Sequence, residues 1–204
     1  MDDLSRALSD ISSIRRQVAN STEFRGYGPA TLATTGVFAA LAAVVQQLWL
    51  ADPGKHIAAY LSVWVSTAVL SAALTGFQMY TRARRIHSAL SDEMINMAVE
   101  QFLPSILAGL LLTVVLLGSA PDSAWTLPGM WQILFSLGIF SSCRFLPKPM
   151  LAAGVWYLLT GLICISIGNA QALSPFAMAI PFGAGQLLIA AVLQFCSSKA
   201  QDEV

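Results

Sequence analysis

Apolar residues come in long unbroken stretches along this chain, and polar residues are crowded into the short gaps between them. A helix needs about 20 apolar residues to cross roughly 30 Å of hydrocarbon. Six stretches answer that description, at about residues 30–50, 56–80, 103–118, 125–145, 150–167 and 176–195. The third and fifth are short, and the third can begin further back, in the preceding polar segment. Tight turns separate them: ADPGK after the first, SAPDSA after the third, RFLPKP after the fourth and GNAQALSP after the fifth. The pattern predicts an all-α, polytopic membrane protein with a six-helix bundle over 29–200 and a short tail at 201–204.

Two stretches break the rule. Residues 1–28 form an amphipathic surface helix and an elbow. Leu4, Leu8, Ile11, Ile14 and Val18 recur at three- and four-residue steps, which places them on one helical face. Asp2, Asp3 and Asp10 come early and Arg15 and Arg16 late, which suits the helix dipole. Gly26, Gly28 and Pro29 then end that helix and open the next. The second stretch, Tyr80 to Phe102, is the one long polar interruption. There Ser91 caps a helix with Asp92 and Glu93 in its first turn, and Met94, Ile95, Met97 and Ala98 give it an apolar side. A second surface helix leading through Phe102 into the third span is expected.

Charge sets the orientation. Arg82, Arg84 and Arg85 directly follow the second span, and a basic cluster beside a span stays cytoplasmic. With both termini inside, ten of the eleven Lys and Arg residues lie on the inner side and only Lys55 lies outside. An odd number of spans would scatter them. The first ten residues carry no basic, apolar leader, so no cleavable signal peptide is expected. The expected location is the inner (plasma) membrane, multi-pass, with both termini cytoplasmic. Trp49, Trp64, Trp125 and Trp131 map to the outer halves of spans, as an interfacial belt would.

Composition agrees. The chain is 56% apolar and 11% charged, with mean hydropathy +0.66. Soluble domains carry about 25% charged residues. Net charge is zero, so nothing points to nucleic acid. Cys143, Cys164 and Cys196 form no C-x-x-C pair and read as packing residues. His87 with Asp92, Glu93 and Glu100 matches no metal-ligand spacing.

Several function classes lose support. No Asp, Glu, Lys or Arg stands well inside a span, which counts against a proton-coupled carrier. His56 and His87 are placed too near the rims to ligate haem between helices. No catalytic base accompanies Ser141, Ser142 and Cys143, and no nucleotide-binding fingerprint occurs. No catalytic residue, metal or cofactor is expected.

What the spans do carry is small residues four apart (Gly36 and Ala40, Ser62 and Ser66, Ser71 and Thr75, Ala72 and Gly76) and uncharged amides. Small residues at that step let helices approach closely, and amides hydrogen-bond across helices. Gln46, Gln47, Gln132 and Gln186 are the candidate polar positions, and Pro181 is the candidate kink. The other prolines fall in turns or near span starts, Pro104 among the latter. The leading expectation is a non-enzymatic protein acting through helix contacts, as an accessory subunit or a small sensor or regulator. Its partners would be the bilayer together with further copies of itself or a membrane or cytosolic protein. The alternative is a transporter or channel for a neutral or lipophilic solute, with Pro181 as gate or pocket wall.

Overall fold

The computed structural model describes residues 28–86, 89–143 and 149–202. Among these every regular element is helical. The elements are α1 (Pro29–Trp49), α2 (Ile57–Ile86), α3 (Ala89–Ser119), a 3-10 turn (Pro121–Thr126), α4 (Leu127–Ser142), α5 (Met150–Ile167), α6 (Asn169–Ala172) and α7 (Pro175–Asp202). Five helices are long and apolar enough to cross a membrane: Pro29–Trp49, Ile57–Thr81, Val99–Ser119, Met150–Ile167 and Pro175–Phe195. That is the signature of a multi-pass membrane protein.

The fourth expected span is the odd one. α4 has 16 residues, about 24 Å of helix, and the six-residue 3-10 turn continues it upstream. It is enclosed by α3 on one side and α5 on the other. Leu127, Pro128, Gly129, Gln132, Ser136, Gly138, Ile139 and Ser142 are all buried. A short helix wrapped in protein need not match the bilayer thickness, because its backbone ends meet protein groups and not lipid.

The polar interruption is largely helical. α2 runs on to Ile86 and α3 begins at Ala89. The helix expected after Ser91 is therefore the first part of one continuous helix that enters the span through Phe102. Pro104, placed at a span start by the sequence, sits inside that helix, so α3 and α7 both contain internal prolines. Arg82, Arg84 and Arg85 fall in the last turns of α2; their side chains, and the whole segment 1–27, lie outside the described residues. The turns after α3 and α5 hold two short elements the sequence did not announce, the 3-10 turn and α6.

Neighbours follow the order α2, α1, α7, α5, α4, α3, with α2 and α3 meeting only slightly. The closest approaches use small residues. On α1 the buried seam is Leu32, Thr35, Gly36, Ala39, Ala42, Ala43 and Gln46. A Cβ at Gly36 would stand 3.3 Å from the Gly183 carbonyl of α7. The partner expected for Gly36, Ala40, is exposed; the seam instead steps to Ala39 and Ala43. Between α4 and α5, Gly129 and Gly161 face each other, and a Cβ on either would lie 2.7 Å from the other's carbonyl oxygen. In lipid there is no hydrophobic drive between helices, so contact of this closeness is what holds them.

Two clusters of buried side chains result. One gathers Tyr60, Trp64, Leu127, Leu173 and Met178 toward the 3-10 turn. The other is built on rings: Phe102 against Phe135 at 5.1 Å, Phe135 against Tyr157 at 4.7 Å, and Phe182 against Phe135 at 5.6 Å and Tyr157 at 5.2 Å. Four helices each contribute one ring, and the edge-on geometries are those that aromatic quadrupoles favour.

Candidate functional site

The uncharged amides are the chemistry this chain has in its interior, and the structure separates them. Gln46 is 1% exposed. Its Oε1 accepts from the Trp64 indole N–H at 2.8 Å, and its Nε2 donates to the Leu173 carbonyl at 2.7 Å. That carbonyl is open because the Ala177 N–H, its would-be helical partner, bonds to Ser174 O instead. One side chain on α1 thus ties α2 to the start of α7. Gln47, the next residue, is exposed and takes no part.

Pro181 stands inside α7 and is buried. A proline has no N–H, so the carbonyl four residues earlier, Ala177, loses its helical donor. Gln132 supplies the replacement: its Nε2 donates to Ala177 O at 2.9 Å from α4. On the other side of the kink the Trp156 indole N–H donates to Pro181 O at 3.0 Å from α5. The backbone around Pro181 is therefore bonded from two helices. At the second internal proline, Pro104, the freed carbonyl is that of Glu100, and the cross-helix contact falls on its neighbour, Gln101. The Ser141 hydroxyl lies 3.0 Å from Gln101 O and 2.9 Å from Gly138 O, and its single proton serves one at a time.

Gln186 is half-buried on α7, its Cβ facing Gly36. It faces the buried Tyr157 hydroxyl, while Gln132 Oε1 and Tyr60 Oη have no hydrogen-bond partner among the described residues. Tyr157 packs its hydroxyl directly on Gly185, where a Cβ would come within 2.5 Å of it. Pro181, Gln132 and Trp156 are brought together; Gln46, Gln47 and Gln186 are not part of that group. The sequence missed the parts played by Trp156 and Ser141. An internal proline frees a carbonyl that another donor must satisfy, which is the signal for Gln132; neither Trp156 nor Ser141 bonds a carbonyl so freed.

Trp64 and Trp131 correct the expected belt. Trp64 is 3% exposed and spends its N–H on Gln46; Trp131 donates to Thr113 Oγ1 at 2.9 Å. Trp49, 82% exposed, alone of the three has a surface ring. Cys164 is buried with Sγ 3.8 Å from Ala172 O, a packing role.

The outer face of α2 differs from all of this. Beyond Trp64 the helix is mostly uncovered. Ser62, Ser66, Val69, Ala73 and Gly76, at alternating steps of four and three, are all exposed. The two hydroxyls bond back to their own helix, Ser62 to Ala59 O and Ser66 to Val63 O. Nothing lies within 4 Å of a Cβ built on Gly76. Further toward its C-terminus the helix is tied down, with the Gly28 N–H donating to Gln78 Oε1 at 3.2 Å.

In the turn after α1, Lys55 Nζ pairs with Asp52 Oδ2 at 2.9 Å, both well exposed. The hydrogen bond from Lys55 holds the Asp52 carboxyl below its usual value, and the same bond raises Lys55. Compared with known proteins, the chain matches no family model, no curated protein and no solved structure.

Proposed function

We propose that this is a non-enzymatic inner-membrane protein that works through helix contacts, as an accessory subunit or a small sensor or regulator of a partner. The observation that carries the reading is the open face of α2. A repeat of four and three is the spacing at which one helix meets another along a left-handed crossing. Ser62 to Gly76 covers about 21 Å of helix at that spacing. Its residues are small, and small residues at a helix surface permit the backbone approach that membrane helices use to associate. A second helix laid on this face, from another copy or from a different membrane protein, is the partner it suits.

In this reading α4, with its 3-10 extension, counts as a sixth span. Both termini are then cytoplasmic, with Arg82, Arg84 and Arg85 holding the inner end of α2. Reporters fused after Gly54, Ser88 and Asn169 test the orientation: the first and third read outside, the second inside. A pathway for a neutral solute draws less support. Gln46 and Gln132 are engaged in holding helices, and Gln47 stands apart from the Pro181 kink.

The test is purification in a gentle detergent of two differently tagged copies expressed together. The reading expects the second tag, or a defined membrane or cytosolic protein, to come through in stoichiometric yield. A bare monomer from native membranes overturns it.

A further inference from the structure

Between α5 and α7 the bundle opens into a groove of about 290 Å³. Three features of the chain make it. Gly168, at φ +92°, ends α5 in a conformation that L side chains rarely adopt. The four-residue α6 then steps the chain aside. Pro181 of α7 then stands in the wall where α7 passes α5. The back wall is Cys164, Ala172 and Pro181, all buried. The lips are Ile163 and Ile180, both more than half exposed. Gln171 and Ser174 stand at the end nearest the turn, where the Ser174 hydroxyl oxygen accepts from Ala177 N–H at 3.3 Å.

We propose that this groove holds one acyl chain of a membrane lipid, with the lipid's ester region against Gln171 and Ser174. No charged residue lines it, so the part of the ligand inside is uncharged. Its mouth is rimmed by apolar side chains of the two spans and opens sideways into hydrocarbon. A partner helix does not fit: it is about 10–12 Å across, whereas the groove follows α5 only from Thr160 to Ile167, about 10 Å of rise. At this volume the groove lies at the low end for small-molecule sites, room for a single chain and not for a bulky ring system. Elsewhere α5 closes on α4 and α7 on α1 to glycine-backbone contact, and interiors of that density leave few voids. This proposal is independent of the α2 contact face.

The test uses the full-length protein in vesicles of phosphatidylethanolamine and phosphatidylglycerol containing a phospholipid with a photoreactive diazirine on one acyl chain. After illumination, adducts are mapped by peptide mass spectrometry. Segment 160–181 is expected to label above the lipid-exposed face of α3 at 103–115, and Ile180→Trp is expected to bring it down to the α3 level while α3 stays unchanged. Ile163→Trp, on the opposite lip and away from the kink, must do the same, which separates filling of the groove from disturbance of Pro181. Labelling of 160–181 at or below α3 in the wild type, as a covering protein would also give, overturns the proposal. So does labelling that both tryptophan variants leave untouched.

Discussion

α2 and α3 are the two helices at the ends of the row, and both leave most of their surface uncovered. They differ in where small residues fall. None of the α3 membrane window is buried, and it presents Leu103, Ile106, Leu107, Leu110, Leu111, Val114 and Val115. Side chains of this kind are as apolar as lipid tails and gain nothing by leaving them. The uncovered side of α2 also carries Val65, Leu70 and Phe77, but along one line it presents Ser62, Ser66, Ala73 and Gly76 around Val69. That line offers another helix a close approach. Exposure alone does not mark a contact surface in a membrane protein; small residues at even spacing are what a close helix approach requires.

Glycine gives the means to break that comparison, because one substitution tests three environments. Gly161→Leu drives a side chain into the Gly129 carbonyl, and overpacking of this kind costs about 3 kcal/mol or more. Loss of cooperative unfolding in a detergent titration is the expected result. Gly76→Leu on α2 and Gly118→Leu on α3 meet open space, with nothing within 4 Å. Both are expected to unfold at the wild-type midpoint.

The next effects sharpen the contrast between polar groups that are used and those that are not. Gln132→Leu leaves the Ala177 carbonyl with no donor, because Pro181 cannot provide one. Membrane hydrogen bonds average only about 0.6 kcal/mol, but a buried acceptor with no substitute donor lies higher, at about 1–2 kcal/mol of lost stability. Chemical unfolding in detergent measures it, with Gln47→Leu as the exposed control, unchanged. Tyr60→Phe removes a buried hydroxyl that has no partner among the described residues. It is expected to cost nothing or to gain up to about 1 kcal/mol; a clear loss in the same titration would show that the hydroxyl is engaged.

The smallest effect is at the surface. Lys55→Ala leaves the unfolding midpoint at neutral pH unchanged, since exposed pairs contribute little. The folded Asp52 carboxyl titrates below its usual value. Its share of stability is therefore present above the ordinary carboxylate range and lost as pH falls through the folded value. NMR titration of the Asp52 carboxyl should show it return to the usual range in Lys55→Ala.

The boundaries of the spans were legible because length and apolarity alone decide what can cross a bilayer. Residues 150–167 were read from the sequence and form α5 without a shift. What the sequence did not show is which way a nearly all-apolar helix turns. Gln46 and Gln47 are adjacent and chemically identical, yet one is a buried three-way tie and the other is exposed. On α1 apolar residues surround both, so no periodic pattern separates them. Pro181 announced a kink and an open carbonyl, but not that a glutamine 45 residues away in the chain would close it. Pro104 was read as a span start because charged residues precede it. The helix runs through those residues all the same, since charge does not prevent a helix outside the hydrocarbon. The tryptophans were read from depth, and depth does not reveal whether an acceptor lies within reach.

The account stands or falls on the face of α2. The most direct measurement is co-purification of differently tagged copies, and of any bound partner, for wild type, Gly76→Leu and Gly118→Leu in the same native membranes. The account predicts that Gly76→Leu purifies folded and alone while Gly118→Leu keeps the wild-type company. If Gly76→Leu retains the same associates as wild type, or if Gly118→Leu loses them equally, the small-residue face of α2 is not where this protein makes its contacts.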